Sequence, residues 1–126
     1  MRFGVPVDEE RMVALLRPDE PLRTIVTADA YGAGAADALV GRALAGVPRE
    51  RYALVGAVGH DFYEGARAGA RGYPRFTDPG LRGPEGYGAY LRMAVERSLE
   101  RCRADRFDVL LLHNPDRIGY SSEAVW

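Results

Sequence analysis

The sequence predicts an α/β protein built on a parallel sheet. Three observations carry this. Short β-rich runs alternate with helical patterns along the whole chain, the order that parallel strands with helical crossovers require. Tyr52 to Val58 is almost continuously apolar, as suits a parallel strand buried on both faces. No glycine-rich dinucleotide fingerprint follows any strand, which counts against a doubly wound nucleotide-binding sheet and leaves half of an eight-stranded barrel as the alternative. Strand order alone does not separate the two.

Arg2-Phe3-Gly4-Val5 reads as the remnant of a first strand. Asp8 to Arg17 predicts a short helix, with Asp8 as cap, acids in the first turn, and Met12, Leu15 and Leu16 on one face. Pro18 stops it. Leu22 to Ala28 predicts a strand, because Thr24, Ile25, Val26 and Thr27 are β-branched in succession. Ala35 to Ala45 predicts a helix with Ala36, Leu39, Val40, Ala43 and Leu44 on its apolar face, ended by Gly46-Val47-Pro48. Gly86 to Arg103 predicts the longest helix, with Leu91, Val95, Leu99 and Cys102 inward. Phe107 to Leu112 predicts the last strong strand. Gly119 to Trp126, opened by Ser121 and Ser122, reads as the first turn of a fourth helix. A complete barrel takes ~250 residues, so the 126 residues here are expected to form one domain, about the first four strand–helix units.

Composition excludes several classes. Hydrophobic content of 47% and charged content of 28% fit a globular chain. A formal net charge of −1 argues against a general nucleic-acid or membrane-surface binder. No apolar run approaches the ~20 residues of a membrane helix, and no signal peptide opens the chain. Cys102 is the single cysteine, so no internal disulfide forms; a cytoplasmic protein is expected. All 17 basic side chains are arginine; lysine is absent.

Gly59 to Glu85 has no steady periodicity. A loop of this length is commonly functional. It carries Arg67, Arg71, Arg75 and Arg82 among Phe62, Tyr63, Tyr73 and Phe76, but Asp61, Glu64, Asp78 and Glu85 offset the arginines. It reads as a lid over the strand ends rather than a nucleic-acid surface.

In an α/β barrel the strand ends and following loops form the active face. Tyr31 follows the strand around Val26, His60 and Asp61 follow the strand around Val55, and His113 and Asn114 follow the strand around Leu110. A tyrosine and a histidine at one rim are a suitable acid pair for protonating a carbonyl oxygen. His60, Asp61 and Asn114 are candidate substrate contacts. His60 and Asp61 are adjacent, so on extended backbone they point opposite ways, with turn chemistry as the alternative role. A metal site of His60, Asp61 and His113 has too thin a ligand set, and no metal is expected.

Two segments resemble one family. Thr27, Ala28, Tyr31, Gly32, Gly34, Asp37, Gly41 and Leu44 fall in step with the first signature of the aldo-keto reductases. Ser98-Leu99-Glu100-Arg101, Asp105, Asp108 and the strand before His113-Asn114-Pro115-Asp116 are similar to a later one. The resemblance spans nearly the whole chain and implies a (β/α)8 TIM barrel that reduces small carbonyl compounds with NADP(H). It places Tyr31 as proton donor and His113 beside it. The family's aspartate, five before Tyr31, is here Val26, and its lysine, two before Gly59, is Ala57. One ion of a buried pair left alone costs roughly 3–5 kcal/mol, so losing both together is a coherent exchange. Without its cation the phenol is a weak acid at neutral pH. The resemblance therefore implies a reductase in the intact barrel. The phosphate contacts lie on later strands in that family, so this chain alone is expected to bind cofactor poorly and to be inactive. The alternative is an altered barrel that binds or regulates. Open sheet edges also point to self-association.

Overall fold

The computed structural model describes residues 8–18, 23–64 and 72–126. The segment Arg2-Phe3-Gly4-Val5, Leu22, Arg67 and Arg71 lie outside the described residues. Helix α1 spans Glu9–Leu16, strand β1 Arg23–Ala28, helix α2 Ala35–Ala43, strand β2 Tyr52–Val58, helix α3 Tyr87–Cys102, strand β3 Val109–Leu112 and helix α4 Arg117–Ser121. Short 3-10 turns at Arg49–Arg51 and Pro84–Gly86 lead into β2 and α3. The strands form a parallel sheet in the order β1-β2-β3. Sequential parallel strands with a helix in each crossover are the repeating unit of a (β/α)8 barrel, of which this sheet is a part.

Register decides which side chains share a face. Val26 pairs with Val55 and Ala28 with Ala57, and Val55 and Ala57 pair in turn with Val109 and Leu111. Because side chains alternate, Val26, Ala28, Val55, Ala57, Val109 and Leu111 lie on one face, and Ile25, Leu54 and Val58 lie on the other. The second face is the core. Ile25 and Leu54 pack with Val40, Leu44, Tyr52 and Cys102. Val58 packs with Phe76, Tyr87, Tyr90 and Ala94. The first face would turn toward a barrel interior, and Val26 on it is 64% exposed. Among the described residues the outer edges of β1 and β3 are unpaired.

The helices differ from expectation in one informative way. Helix α3 buries Tyr87, Tyr90, Ala94, Ser98 and Cys102, while Leu91 and Val95 pack only at the flank. The apolar count favoured the leucines. The structure instead places a buried carboxylate, Asp37 of α2, opposite α3. Ser98 faces inward because its hydroxyl donates to that carboxylate at 2.8 Å. Helix α4 begins earlier than expected, since Asp116 and not a serine caps it by accepting from the Gly119 amide at 2.8 Å. Asp8 caps α1 as expected, through the Arg11 amide.

The motif residues around Asp37 are structural. Its carboxylate accepts from the Thr27 hydroxyl of β1 (2.7 Å), the Ser98 hydroxyl of α3, and the Arg101 Nε and Nη2 (3.2 and 3.1 Å). One buried group thus joins strand, helix and helix. Gly41 lets α2 and α3 touch: a Cβ there would collide with the Arg101 carbonyl oxygen and reach 3.0 Å from the Cys102 carbonyl carbon. Both obstacles are backbone, so Gly41→Ala is expected to lower stability by about 1–3 kcal/mol. A urea midpoint unchanged from wild type would refute that close contact.

The segment after β2 is less irregular than its sequence suggests. His60 bridges Arg75, the Asp61 amide donates to the Pro74 carbonyl (2.7 Å), and the Phe76 amide donates to the Gly59 carbonyl (3.0 Å). Phe76 then stacks on Tyr90 with centroids 5.7 Å apart. The returning arm, 72–83, is therefore fastened across the end of β2.

Candidate active site

Tyr31, His60 and His113 each follow a parallel strand within three residues of its last residue. Parallel strands bring their carboxyl ends to one rim, so three distant positions meet there. The Tyr31 and His113 rings lie 5.5 Å apart, edge to face, and the His60 and His113 rings 4.9 Å apart. A cavity of about 320 Å3 opens beside them, lined by Tyr31, His60, Tyr73, His113 and Asn114 with the small residues Ala30 and Gly72. That volume is at the lower end of small-molecule sites.

Local backbone chemistry sets each position. Tyr31 sits in a tight turn, with its amide donating to the Ala28 carbonyl (3.0 Å) and its carbonyl accepting from the Ala36 amide (3.2 Å). The His113 amide donates to the Val58 carbonyl (2.7 Å), which carries the β2–β3 ladder one residue past β3. Gly59 makes room for this. Its φ is +141°, and a Cβ there would come within 3.2 Å of the His113 carbonyl oxygen. Asn114 adopts φ +46°, a left-handed conformation that asparagine tolerates.

The two imidazoles differ in surroundings. His60 Nδ1 lies 3.3 Å from the Tyr73 carbonyl oxygen. His113 Nδ1 is buried with no hydrogen-bond partner among the described residues. Burial, and after it the neighbouring His60, hold the His113 imidazole below its ordinary value of 6.5.

Asp61 is not at the cavity. It is fully buried, pairs with Arg82, and accepts from the Tyr63 and Glu64 amides at 3.1 and 3.2 Å. Opposite orientation of adjacent side chains sends His60 to the cavity and Asp61 to the turn. Asp29 is also fully buried, and neither carboxyl oxygen has a hydrogen-bond partner among the described residues. Nothing in its sequence position signals that burial. Val26 and Ala57 lie on the same face of the sheet, on neighbouring strands and two register positions apart. An acid and a base there would point to one side; hydrocarbon holds both places. Among the described residues no group of three or more His, Cys, Asp or Glu side chains is placed to hold a metal, and no helix is long and apolar enough to cross a membrane.

A parallel β/α sheet that gathers its polar groups at the carboxyl strand ends is the active-face design of a (β/α)8 barrel enzyme. The sequence model of the Aldo/keto reductase family matches residues 7–126. The chain belongs to that family, and its membership supports an oxidoreductase-like function.

Proposed function

We propose that this chain supplies the carbonyl-binding end of an NADP(H)-dependent carbonyl reductase barrel. The observation that carries the reading is the meeting of the Tyr31 phenol and the His113 imidazole at a small cavity on the strand-end rim. A carbonyl oxygen in that cavity can accept from the phenol and a second time from the N–H of the His113 imidazole, held neutral by burial. Tyr73 and Asn114 wall the site and limit the size of the group that enters.

The nicotinamide cofactor supplies hydride when it is bound. Among the described residues the cavity lining offers no arginine for its phosphates, and about 320 Å3 suits a small carbonyl compound rather than a dinucleotide. These residues therefore fit the substrate and not the whole cofactor, which the remaining strands of the barrel would hold.

The test is direct. The 126-residue chain with NADPH and a panel of small aldehydes is expected to give no oxidation at 340 nm. In a barrel completed by the family's later strands, oxidation is expected, and Tyr31→Phe is expected to reduce kcat at least 100-fold, the scale of losing one positioned acid. Turnover by the chain alone, or full activity of Tyr31→Phe, overturns the reading. A second reading follows from Val26 and Ala57, whose hydrocarbon leaves the phenol without an adjacent ion pair. On that reading the completed barrel binds carbonyl compounds and oxidises no NADPH.

A further inference from the structure

We infer that Asp116 is a positioning residue of the cavity. Its carboxylate ties the returning arm, 72–83, to the turn after β3, and so fixes the gap between Tyr73 on the arm and Asn114 on the turn. That fixed gap makes the site selective for compact carbonyl compounds. The inference rests on the carbonyl-binding reading above and adds what limits its substrates.

The walls of the cavity come from segments far apart in sequence. Tyr73 enters on the arm, and His113 and Asn114 enter on the turn after β3. The arm is firmly held against β2 and α3. Its Pro74 carbonyl and Phe76 amide bond to the backbone after β2, and the Phe76 ring stacks on Tyr90 and meets Tyr87 edge to face at 5.3 Å. Arg82, paired with Asp61, also donates to the Phe76 carbonyl at 2.7 Å. The turn has less backbone support. His113 is held by its bond to Val58, but Asn114 is left-handed and Pro115 has no amide hydrogen to donate. Past His113 the anchor is a side chain.

Asp116 supplies it. One carboxyl oxygen caps α4 through the Gly119 amide, and the other accepts from the Thr77 hydroxyl at 2.5 Å. Thr77 is fully buried and its carbonyl accepts from the Tyr87 hydroxyl (3.4 Å), so the donor is fixed in place. Burial raises the Asp116 carboxyl, but the bonds from Thr77 and the Gly119 amide, with the charge of Arg75, outweigh it and hold the group below its ordinary 3.8. A hydrogen bond to a charged carboxylate is roughly twice as strong as one between neutral groups. Arg75, 3.9 Å away and 43% exposed, adds little beside it. The Thr77–Asp116 bond therefore carries the tie between arm and turn.

Cyclohexanone and camphor are neutral ketones that differ in bulk, and the chain has no lysine side chain on which either could form an imine. Each is titrated into the 126-residue chain at pH 7 while the Cε1–H resonances of its two histidines, both at the cavity, are followed. Wild type is expected to bind cyclohexanone at least about 10-fold more tightly than camphor, the scale on which a pocket rejects excess bulk. Thr77→Val keeps the branched shape and loses the hydroxyl; it is expected to cut that preference to under about 3-fold, while Thr77→Ser, which keeps the hydroxyl, retains it. A merely structural bond would lower the urea midpoint of Thr77→Val and leave the preference alone. Equal binding of the two ketones by wild type, an unchanged preference in Thr77→Val, or a loss in Thr77→Ser as complete as in Thr77→Val overturns the inference and leaves the carbonyl site standing. Asp116→Asn can still cap α4 through its amide oxygen and loses the charge; it is expected to show an intermediate preference. That variant decides the matter if Thr77→Val does not fold, and an unchanged preference in it overturns the inference. If neither ketone shifts either resonance of the wild type, the carbonyl-binding reading falls and takes this one with it.

Discussion

Asp37→Ala is expected to cost roughly 3–5 kcal/mol of folding stability, the scale of breaking a buried ion pair from one side. The carboxylate is fully buried and accepts four hydrogen bonds, two from hydroxyls and two from Arg101. Alanine removes every acceptor at once. Thr27 and Ser98 are left as buried hydroxyls, and Arg101 keeps a half-buried charge that donates to the Tyr63 hydroxyl at 3.2 Å and lies over the Phe62 and Tyr63 rings, without its paired carboxylate. Small domains are stable by about 5–15 kcal/mol, so the loss is a large fraction of the total and is read as a marked fall in the urea midpoint. Asp37→Asn retains one acceptor oxygen and loses the charge, and its urea midpoint should fall between the two. A loss under about 1 kcal/mol for alanine would mean that the network adds little beyond packing.

Asp29→Asn is expected to act in the opposite direction and only in a defined pH range. Burial, and after it the charge of Asp37, raise the Asp29 carboxyl from its ordinary value of 3.8 to about 7. The Ala30 amide, too poorly placed for a hydrogen bond, and Arg101 pull the other way and do not offset this. The folded protein thus favours the neutral acid. Between pH 4 and pH 7 the unfolded chain binds fewer protons than the folded one, so this group's contribution falls as pH rises and levels off above about 7. A rise from 3.8 to about 7 corresponds to on the order of 4 kcal/mol. Asparagine is neutral throughout. The variant should match wild type near pH 4, gain steadily to pH 7, and exceed it by a few kcal/mol at pH 8. His113 is held neutral by burial and contributes the reverse dependence below about pH 6.5, but it cancels in the difference between the two proteins. Parallel urea curves with a constant gap from pH 4 to pH 8 would show that Asp29 carries its charge in the folded state.

These two aspartates illustrate how unevenly the chain discloses itself. Asp37 stands in a recognisable signature, yet its role as the junction of β1, α2 and α3 is visible only in space. Its partners Ser98 and Arg101 are 61 and 64 residues away in sequence. Asp29 differs from them in having no signature and no periodicity to mark it. The turn that exposes Tyr31 also turns Asp29 inward, and hydropathy alone would have placed a carboxylate outside. The leucine stripe expected on α3 was displaced for the same reason: a buried polar network, not apolar count, chose the inward face.

The residues themselves determined the alternation of strand and helix, the parallel sheet, the family, and the three strand ends that deliver Tyr31, His60 and His113. These follow from local periodicity and from short motifs, which need no knowledge of distant contacts. Tertiary structure alone decided that His60 faces the cavity while Asp61 is turned into Arg82, that His60 stands 4.9 Å from His113, and that Val26 and Ala57 share one face. Register and the direction of a side chain past a strand end depend on backbone pairing between segments far apart in sequence. A single-residue slip would have sent each group to the other side of the sheet.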